Sequence, residues 1–367
     1  MVYAESVEAL FSVGRPAKAM ASGTNNGKPE AGTGSDAAAE GRPALRVGVT
    51  RRLPPGIADR LSALFALEYC DQEAVLAPDA LASLAKSVDV LVPTLGDKLD
   101  KAFFEAVGAR LKLISNFGAG VDHIDIDEAH RRSIAVTNTP SVLAEDAADM
   151  AMALILAVPR RLVEGVKALE AGAFTGWSPT WMLGRRVRGK KLGIIGLGRV
   201  GQAIARRAAA FGLDIHYHNR APINALMEES LGATYWESLD QMLARVDIVS
   251  VNCPHTPATF HLLSRRRLQL LQPHAFVVNI SRSEIIDEAA LAELILSDRL
   301  AGAALDVFQG EPKPNPALMA APNVVLLPHM ASATIESRVE MGERVLINIK
   351  MWADGHRPPD RVIPGIN

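Results

Sequence analysis

Lys191-Leu-Gly-Ile-Ile-Gly-Leu-Gly-Arg-Val-Gly-Gln-Ala-Ile-Ala205 is the stretch that decides the fold. Leu192 to Ile195 reads as an apolar strand, Gly196-Leu-Gly-Arg-Val-Gly201 as a glycine turn, and Val200 to Ala210 as a helix of small residues. A strand, a tight turn and a helix in uninterrupted order suit a dinucleotide pyrophosphate. Gly196 permits the turn, Gly198 lets backbone approach the phosphates, and Gly201 lets the helix pack closely on the strand, with the helix N-terminus facing the anion. Arg199 and Val200 open that helix and join the glycines as expected coenzyme contacts. A glycine turn alone also occurs in ordinary α/β domains, so the flanking strand and helix carry the assignment.

Outward from this turn, strand and helix patterns alternate on both sides. Upstream strands are expected at Leu45–Thr50, Phe65–Tyr69, Val88–Val92, Leu111–Asn116 and Ile134–Thr137, with helical patterns at Pro78–Lys86, Lys101–Ala109 and Asp127–Arg132. Downstream strands are expected at Asp214–His218, Asp247–Asn252, Ala275–Ile280, Ala301–Asp306 and Val324–Leu327. Alternation of this kind predicts an α/β fold of two doubly wound parallel sheets. A longer helical stretch, Val142 to about Ala171, is expected to connect the two series, and a last helix, Ser332–Ala353, to return to the first. The coenzyme domain, 144–329, would then be inserted in a discontinuous, flavodoxin-like substrate domain formed by 45–143 and 330–367.

The chain has 367 residues, enough for two separate cores, and its 49% hydrophobic and 22% charged residues are those of an ordinary globular protein. A formal net charge of -2 offers no electrostatic attraction to nucleic acid or an anionic membrane. No apolar run reaches the roughly 18 residues of a spanning helix. Cys70 and Cys253 are the only cysteines, which excludes a disulfide framework and a paired-cysteine metal site and favours reduced thiols in the cytoplasm. No metal is expected. Residues 1–44, rich in Gly, Ala, Ser and Asn toward their C-terminal half, are expected to form a disordered leader, because they offer too little apolar surface to offset ordering entropy.

Three polar residues stand just past predicted strand ends in the second series, where open α/β sheets place ligands. Arg282 follows Val277-Val-Asn-Ile-Ser281, Glu311 follows Leu305-Asp-Val-Phe-Gln-Gly310, and His329 follows Val324-Val-Leu-Leu-Pro328. A guanidinium can clamp a small 2-oxo acid through two parallel hydrogen bonds. An imidazole paired with a carboxylate has its protonated form favoured, so it can donate a proton to a carbonyl that receives hydride. Each residue alone also fits a solvated loop or a cap; it is their joint placement beside a coenzyme turn that points to a reaction.

The motifs Gly196–Gly201, Asn279-Ile-Ser-Arg-Ser283, Leu305-Asp-Val-Phe-Gln-Gly-Glu-Pro312 and Pro328-His-Met-Ala-Ser-Ala-Thr334, in this order, resemble those of the D-isomer-specific 2-hydroxyacid dehydrogenase family. The resemblance covers about residues 45–360. It implies that His329 is the acid-base, Glu311 its charged partner and Arg282 the substrate anchor. It also implies carboxylate binding by the backbone amides of Ala119 and Gly120 in Phe117-Gly-Ala-Gly-Val-Asp122, with Leu95 and Gly96 lining the pocket. Pro254, Thr259, Ile280 and Asp306 are implied as further coenzyme contacts, Asp306 through the nicotinamide amide. Gly172-Ala-Phe-Thr-Gly-Trp-Ser-Pro-Thr-Trp181 is similar to a loop of the glyoxylate and hydroxypyruvate reductases, in which a tryptophan reaches across a homodimer interface. Trp177 and Trp181 are the candidates, with Trp181 preferred. Ser283 and Ala331 depart from the family's usual glycines, and neither change removes a reacting group.

NAD-binding turns usually have an acidic residue roughly 20 positions on, which accepts from the ribose 2′-OH. Here the second strand ends His216-Tyr-His-Asn-Arg220, with no carboxylate at 218 to 220. Arg220 offers positive charge to a 2′-phosphate and Asn219 can hydrogen-bond either form, so NADPH is expected over NADH. The expected reaction is reduction of glyoxylate or hydroxypyruvate. A short phosphoglycerate dehydrogenase and a nucleotide-sensing corepressor on the same fold remain as alternatives.

Overall fold

A computed structural model describes residues 45–364; the expected leader, 1–44, lies outside them. Strands β1 (Arg46–Val49), β2 (Ala66–Tyr69), β3 (Val90–Val92), β4 (Leu113–Ser115) and β5 (Ala135–Thr137) form one sheet, in the order β2-β1-β3-β4-β5. Strands β6 (Lys191–Ile195), β7 (Asp214–His218), β8 (Ala233–Tyr235), β9 (Ile248–Val251), β10 (Phe276–Asn279), β11 (Gly302–Leu305) and β12 (Val324–Leu326) form a second, in the order β12-β11-β10-β9-β6-β7-β8. Every pairing between these twelve strands is parallel. Val90-Leu-Val92 and Ile248-Val-Ser-Val251 are buried throughout, as strands covered by helices on both faces must be. The chain is therefore an α/β protein with two doubly wound parallel sheets.

Strand order fixes where ligands can enter. β1 lies between β2 and β3, and β6 between β7 and β9, so connections leave these strands in opposite directions and open a crevice at their C-terminal ends. The residues that follow β1, β3, β6 and β9 line those crevices. The C-terminal helix Ile335–Ala353 packs on the first sheet: Met341, Val345, Leu346 and Ile349 share a core with Val47, Val49, Val90 and Val92. Thr334 starts this helix by accepting from the Ser337 N–H at 3.0 Å. Gly342 sits so close to the Ile57–Leu64 helix that a Cβ there would lie 2.6 Å from Ile57 Cγ1.

Two expectations need correction. The longer helical stretch over Val142–Ala171 is divided into two helices, Ala144–Ala157 and Leu162–Glu170. Pro159 has no N–H to continue the ladder, and Arg161 adopts a left-handed φ of 54° to redirect the chain. The second sheet also has a strand that the alternation did not reveal, β8. It has only three residues, at a sheet edge, so it leaves no period-two pattern to read.

Candidate active site

Arg282 leaves the end of β10 on a turn shaped by Asn279, whose side chain donates to the Arg282 carbonyl and accepts from the Ser281 N–H, both at 2.9 Å. Arg282 is thereby aimed across the cleft to the other lobe. Its Nε donates to Asp122 Oδ2 at 3.0 Å and Oδ1 at 3.2 Å, while Nη1 donates to the Ser281 carbonyl. Burial pushes the Asp122 carboxyl up, but the Arg282 charge and hydrogen bond outweigh it and hold Asp122 below the usual carboxylate range.

Gly120 is where this guanidinium rests. A Cβ on Gly120 would overlap Arg282 Nη2 and lie 3.0 Å from both its Cζ and Asp122 Oδ1. The surrounding turn is held from beneath by buried Asn116, whose Nδ2 donates to the carbonyls of Gly118 at 3.0 Å and Gly120 at 2.9 Å. Asn138 donates to the Ala119 carbonyl at 2.7 Å. His123 faces Asn116 Oδ1 through Nε2 at 3.1 Å, and burial lowers its pKa to about 4, so it is neutral and donates there. With the carbonyls tied back, the N–H groups of Leu95, Gly96, Ala119 and Gly120 make no backbone hydrogen bond among the described residues.

His329 follows β12 with a left-handed φ of 54°, and its N–H donates to the Asp306 carbonyl at 2.9 Å. Its Nδ1 lies 3.1 Å from Glu311 Oε2, and Glu311 Oε1 accepts from the Phe308 N–H at 3.3 Å. Burial raises the Glu311 pKa, but the hydrogen bond and charge of His329 prevail and keep it below the usual value. An ionised Glu311 makes Nδ1 the donor in this pair and leaves Nε2 free for a reacting oxygen. Behind the loop, buried Glu288 accepts from the Gln309 N–H at 2.6 Å.

Arg282, Glu311 and His329 line one cavity of about 920 Å³ together with Leu95, Gly96 and Phe117 from the first lobe. The three residues therefore converge, from the ends of three strands. Asp306 lies elsewhere: it is fully buried, and its two oxygens accept from the N–H groups of Met330 at 2.7 Å and Ala331 at 2.8 Å. In this structure its carboxylate braces the His329 turn, and each oxygen keeps a further lone pair for another donor. Trp177 is 86% exposed and Trp181 41% exposed, the latter tilted against Phe174 with ring centroids 5.5 Å apart. Neither lines the cavity of its own chain.

The glycine turn fits a pyrophosphate. Gly196 has φ 93° and a Cβ there would stand 2.7 Å from the Cys253 nitrogen; a Cβ on Gly201 would collide with the Gly196 carbonyl; Gly198 faces open space, with nothing within 4 Å. Arg199 begins the helix behind it. Asn219 spends its Oδ1 on the Leu197 N–H at 2.8 Å, so its side chain braces the turn, whereas Arg220 is exposed beside it. Thr259 bonds the Pro254 carbonyl at 2.8 Å, closing the loop after β9, and Ile280 follows β10. Sequence reading missed Asp122, Asn116, His123 and Glu288 as site residues. Asp122 sits within the glycine turn already quoted, but its partner is 160 positions away, a distance no local pattern spans.

Residues 152–331 match the family model described as D-isomer specific 2-hydroxyacid dehydrogenase, NAD binding domain. Glyoxylate reductase of Pyrococcus furiosus is 40% identical over 321 residues, covering 86% of this chain and 95% of the relative, and that of Aeropyrum pernix is 40% identical over 322 residues with the same coverage. Among solved structures, a D-isomer specific 2-hydroxyacid dehydrogenase from Polaromonas superposes with a TM-score of 0.82 at 36% identity, covering 88% of this chain and 100% of the other. An NADPH-dependent glyoxylate/hydroxypyruvate reductase from Sinorhizobium meliloti, in complex with NADP and malonate, does so at 0.78 and 34% identity, covering 87% and 97%. The chain belongs to the D-isomer-specific 2-hydroxyacid dehydrogenase family. It is an oxidoreductase acting on a CH–OH group with a nicotinamide coenzyme, and among the family it is similar to the glyoxylate reductases.

Proposed function

We propose that this enzyme reduces glyoxylate to glycolate, and hydroxypyruvate to D-glycerate, with NADPH preferred over NADH. The observation that carries the reading is the His329–Glu311 pair, 3.1 Å apart, in the same cavity as Arg282. The N–H groups of Ala119 and Gly120 hold the substrate carboxylate, and Arg282 clamps it beside the carbonyl to be reduced. Leu95 and Gly96 wall the remainder of the acid. The coenzyme, cradled by Gly196, Gly198, Arg199, Val200 and Gly201 and flanked by Pro254, Thr259 and Ile280, supplies the hydride. His329 donates its Nε2 proton to the substrate oxygen, and Glu311 stabilises the imidazolium before transfer. The names of the Pyrococcus and Sinorhizobium relatives support this substrate class.

Arg220, exposed at the end of β7 with no carboxylate beside it, supports the choice of NADPH by offering its fork to a 2′-phosphate. Exposed Trp177, Leu162, Val166 and Leu169 support a homodimer through this face, with Trp181 the residue nearest in kind to a contact with the neighbouring site. Two free cysteines are in keeping with the cytoplasm. The test is a set of initial rates with glyoxylate, hydroxypyruvate and pyruvate, each with NADPH and NADH, for wild type, Arg220→Ala and His329→Gln. Glyoxylate with NADPH should be turned over, Arg220→Ala should erode the NADPH preference by about tenfold, and His329→Gln should lose at least about 10²-fold in kcat. An inactive wild type refutes the substrate; an unchanged coenzyme ratio in Arg220→Ala refutes the phosphate contact.

A further inference from the structure

Beside β5, the last strand of the first sheet, lies a second cavity of about 630 Å³. It shares no lining residue with the catalytic one. His130, Ser133, Trp352, His356, Arg357 and Arg361 stand in its wall, and every titratable side chain there is basic. Arg357 and Arg361 are exposed, and no carboxylate oxygen among the described residues comes within 4.0 Å of either guanidinium. The acids nearest in sequence are already taken: Glu128 faces Arg131 and Arg132, Asp354 faces Lys350, and Asp360 faces Arg344. Like charges that converge on one concave surface repel each other, and an anion between them removes that cost.

Helix ends explain only part of this charge. The helices Ile126–Arg131 and Ile335–Ala353 both finish at the cavity, and the negative end of a helix favours cations in its last turn. That accounts for His130. Arg357 and Arg361 lie past the last turn of the C-terminal helix, whose carbonyls are closed by backbone: the Gly355 N–H, at φ 81°, donates to Trp352 at 3.0 Å and the His356 N–H to Met351 at 2.8 Å. The two guanidiniums serve neither a cap nor an ion pair.

The segment that carries Arg361 is joined to the active site by hydrogen bonds. Arg361 pairs antiparallel with Thr137 at the end of β5. Asp360, next to it and buried, accepts from the Asn138 N–H through its carbonyl at 3.2 Å. Asn348 clasps both from the last helix, its Nδ2 donating to Asp360 Oδ2 at 3.1 Å and to the Asn138 carbonyl at 3.3 Å. Asn138 in turn donates its side chain to the Ala119 carbonyl at 2.7 Å. A shift of the 357–361 segment is therefore passed through Asp360 and Asn138 to the turn that bears the Ala119 and Gly120 amides.

We propose that this cavity is a regulatory site for a ligand bearing a phosphate group, and that its occupancy alters the affinity of the Ala119–Gly120 turn for a carboxylate. Two guanidinium forks match the oxygens of a phosphate, with the His130 and His356 rings and the Ser133 hydroxyl as further donors and Trp352 as an apolar wall. The site stands on the cavity and its cations. Its link to the turn rests on the reading of that turn as the carboxylate cradle.

The test is calorimetry on the full chain loaded with NADP, using inorganic phosphate and glycerol 3-phosphate as probes, in wild type, Arg357→Gln, Arg361→Gln and Arg361→Lys. Saturable binding in wild type should weaken by about tenfold or more in each glutamine variant, and Arg361→Lys should recover part of it, since an ammonium keeps the charge but loses the fork. Both side chains are exposed and unpaired with any described carboxylate, so melting temperatures should stay near that of wild type. The tighter of the two probes tells an ester from free phosphate. No saturable binding in wild type, or equal affinity in both glutamine variants, overturns the site. The link is read without turnover, from the affinity of oxalate with and without saturating phosphate. It should change by about fivefold or more in wild type and not in Arg361→Gln. An unchanged oxalate affinity overturns the link, and so does an equal change in Arg361→Gln, which would mean that phosphate competes in the catalytic cavity. Oxalate that fails to bind wild type at all rejects the carboxylate cradle, and the link with it, while the phosphate titration still decides the site.

Discussion

Gly120→Ala would add a single methyl group, and the structure says where it goes. The new Cβ overlaps Arg282 Nη2 and stands 3.0 Å from Cζ and from Asp122 Oδ1. Ordinary carbon contacts lie near about 3.5–4.0 Å, so Cζ must retreat by about 1 Å or less and Nη2 by about 2 Å, tilting the guanidinium away from the amide it rests on. Backbone need not move, because the obstructed atoms are the far end of a flexible side chain that is 21% exposed. A misplacement of about 1 Å in a substrate-positioning group costs roughly 10²-fold, or about 2.7 kcal/mol of transition-state stabilisation. The expectation is therefore a fall of that order in kcat/KM for glyoxylate with NADPH, followed by coenzyme absorbance, with a melting temperature close to that of wild type. A variant that folds normally and keeps kcat/KM within about threefold (less than 1 kcal/mol) would refute the claim that Arg282 acts from its place on Gly120.

The Asp122–Arg282 pair bridges the lobes, and its pH dependence has a definite sign. Asp122 has a folded pKa below its ordinary 3.8, so its contribution to stability is fully present above that value and lost as pH falls through the lowered one. The melting-temperature gap between wild type and Asp122→Asn should hold through neutral pH and close below about pH 4; a gap that persists into stronger acid would assign it to packing instead. Trp177, with 86% of its surface exposed, gives a second expectation: wild type should sediment as a dimer, and Trp177→Ala should shift it toward monomer. A wild-type chain that sediments as a monomer at every concentration would remove the interface.

Much of the site could be read from sequence because its parts punctuate strands. Gly196, Arg282, Glu311 and His329 each follow an apolar run, and the rule that ligands gather at C-terminal strand ends places them together before any coordinate is known. The two sheets were legible for the same reason. What escaped was set by long-range geometry or by brevity. Asp306 is named through the resemblance alone, and its bonds to the backbone of Met330 and Ala331, which fix the His329 turn, leave no mark in the sequence. β8 is too short for periodicity, and the break at Pro159 lies inside a run whose apolar pattern continues on either side.

The helix Ile335–Ala353 covers the first sheet although nearly 200 residues separate it from β5. During synthesis this has a temporal consequence. The second sheet is complete once β12 has emerged, and it can condense while the chain is still growing. Val47, Val49, Val90 and Val92, by contrast, wait for the last helix to leave the ribosome before their face is closed. The lobe that is translated first is thus finished last, and the newborn chain carries its exposed apolar face for most of its time on the ribosome.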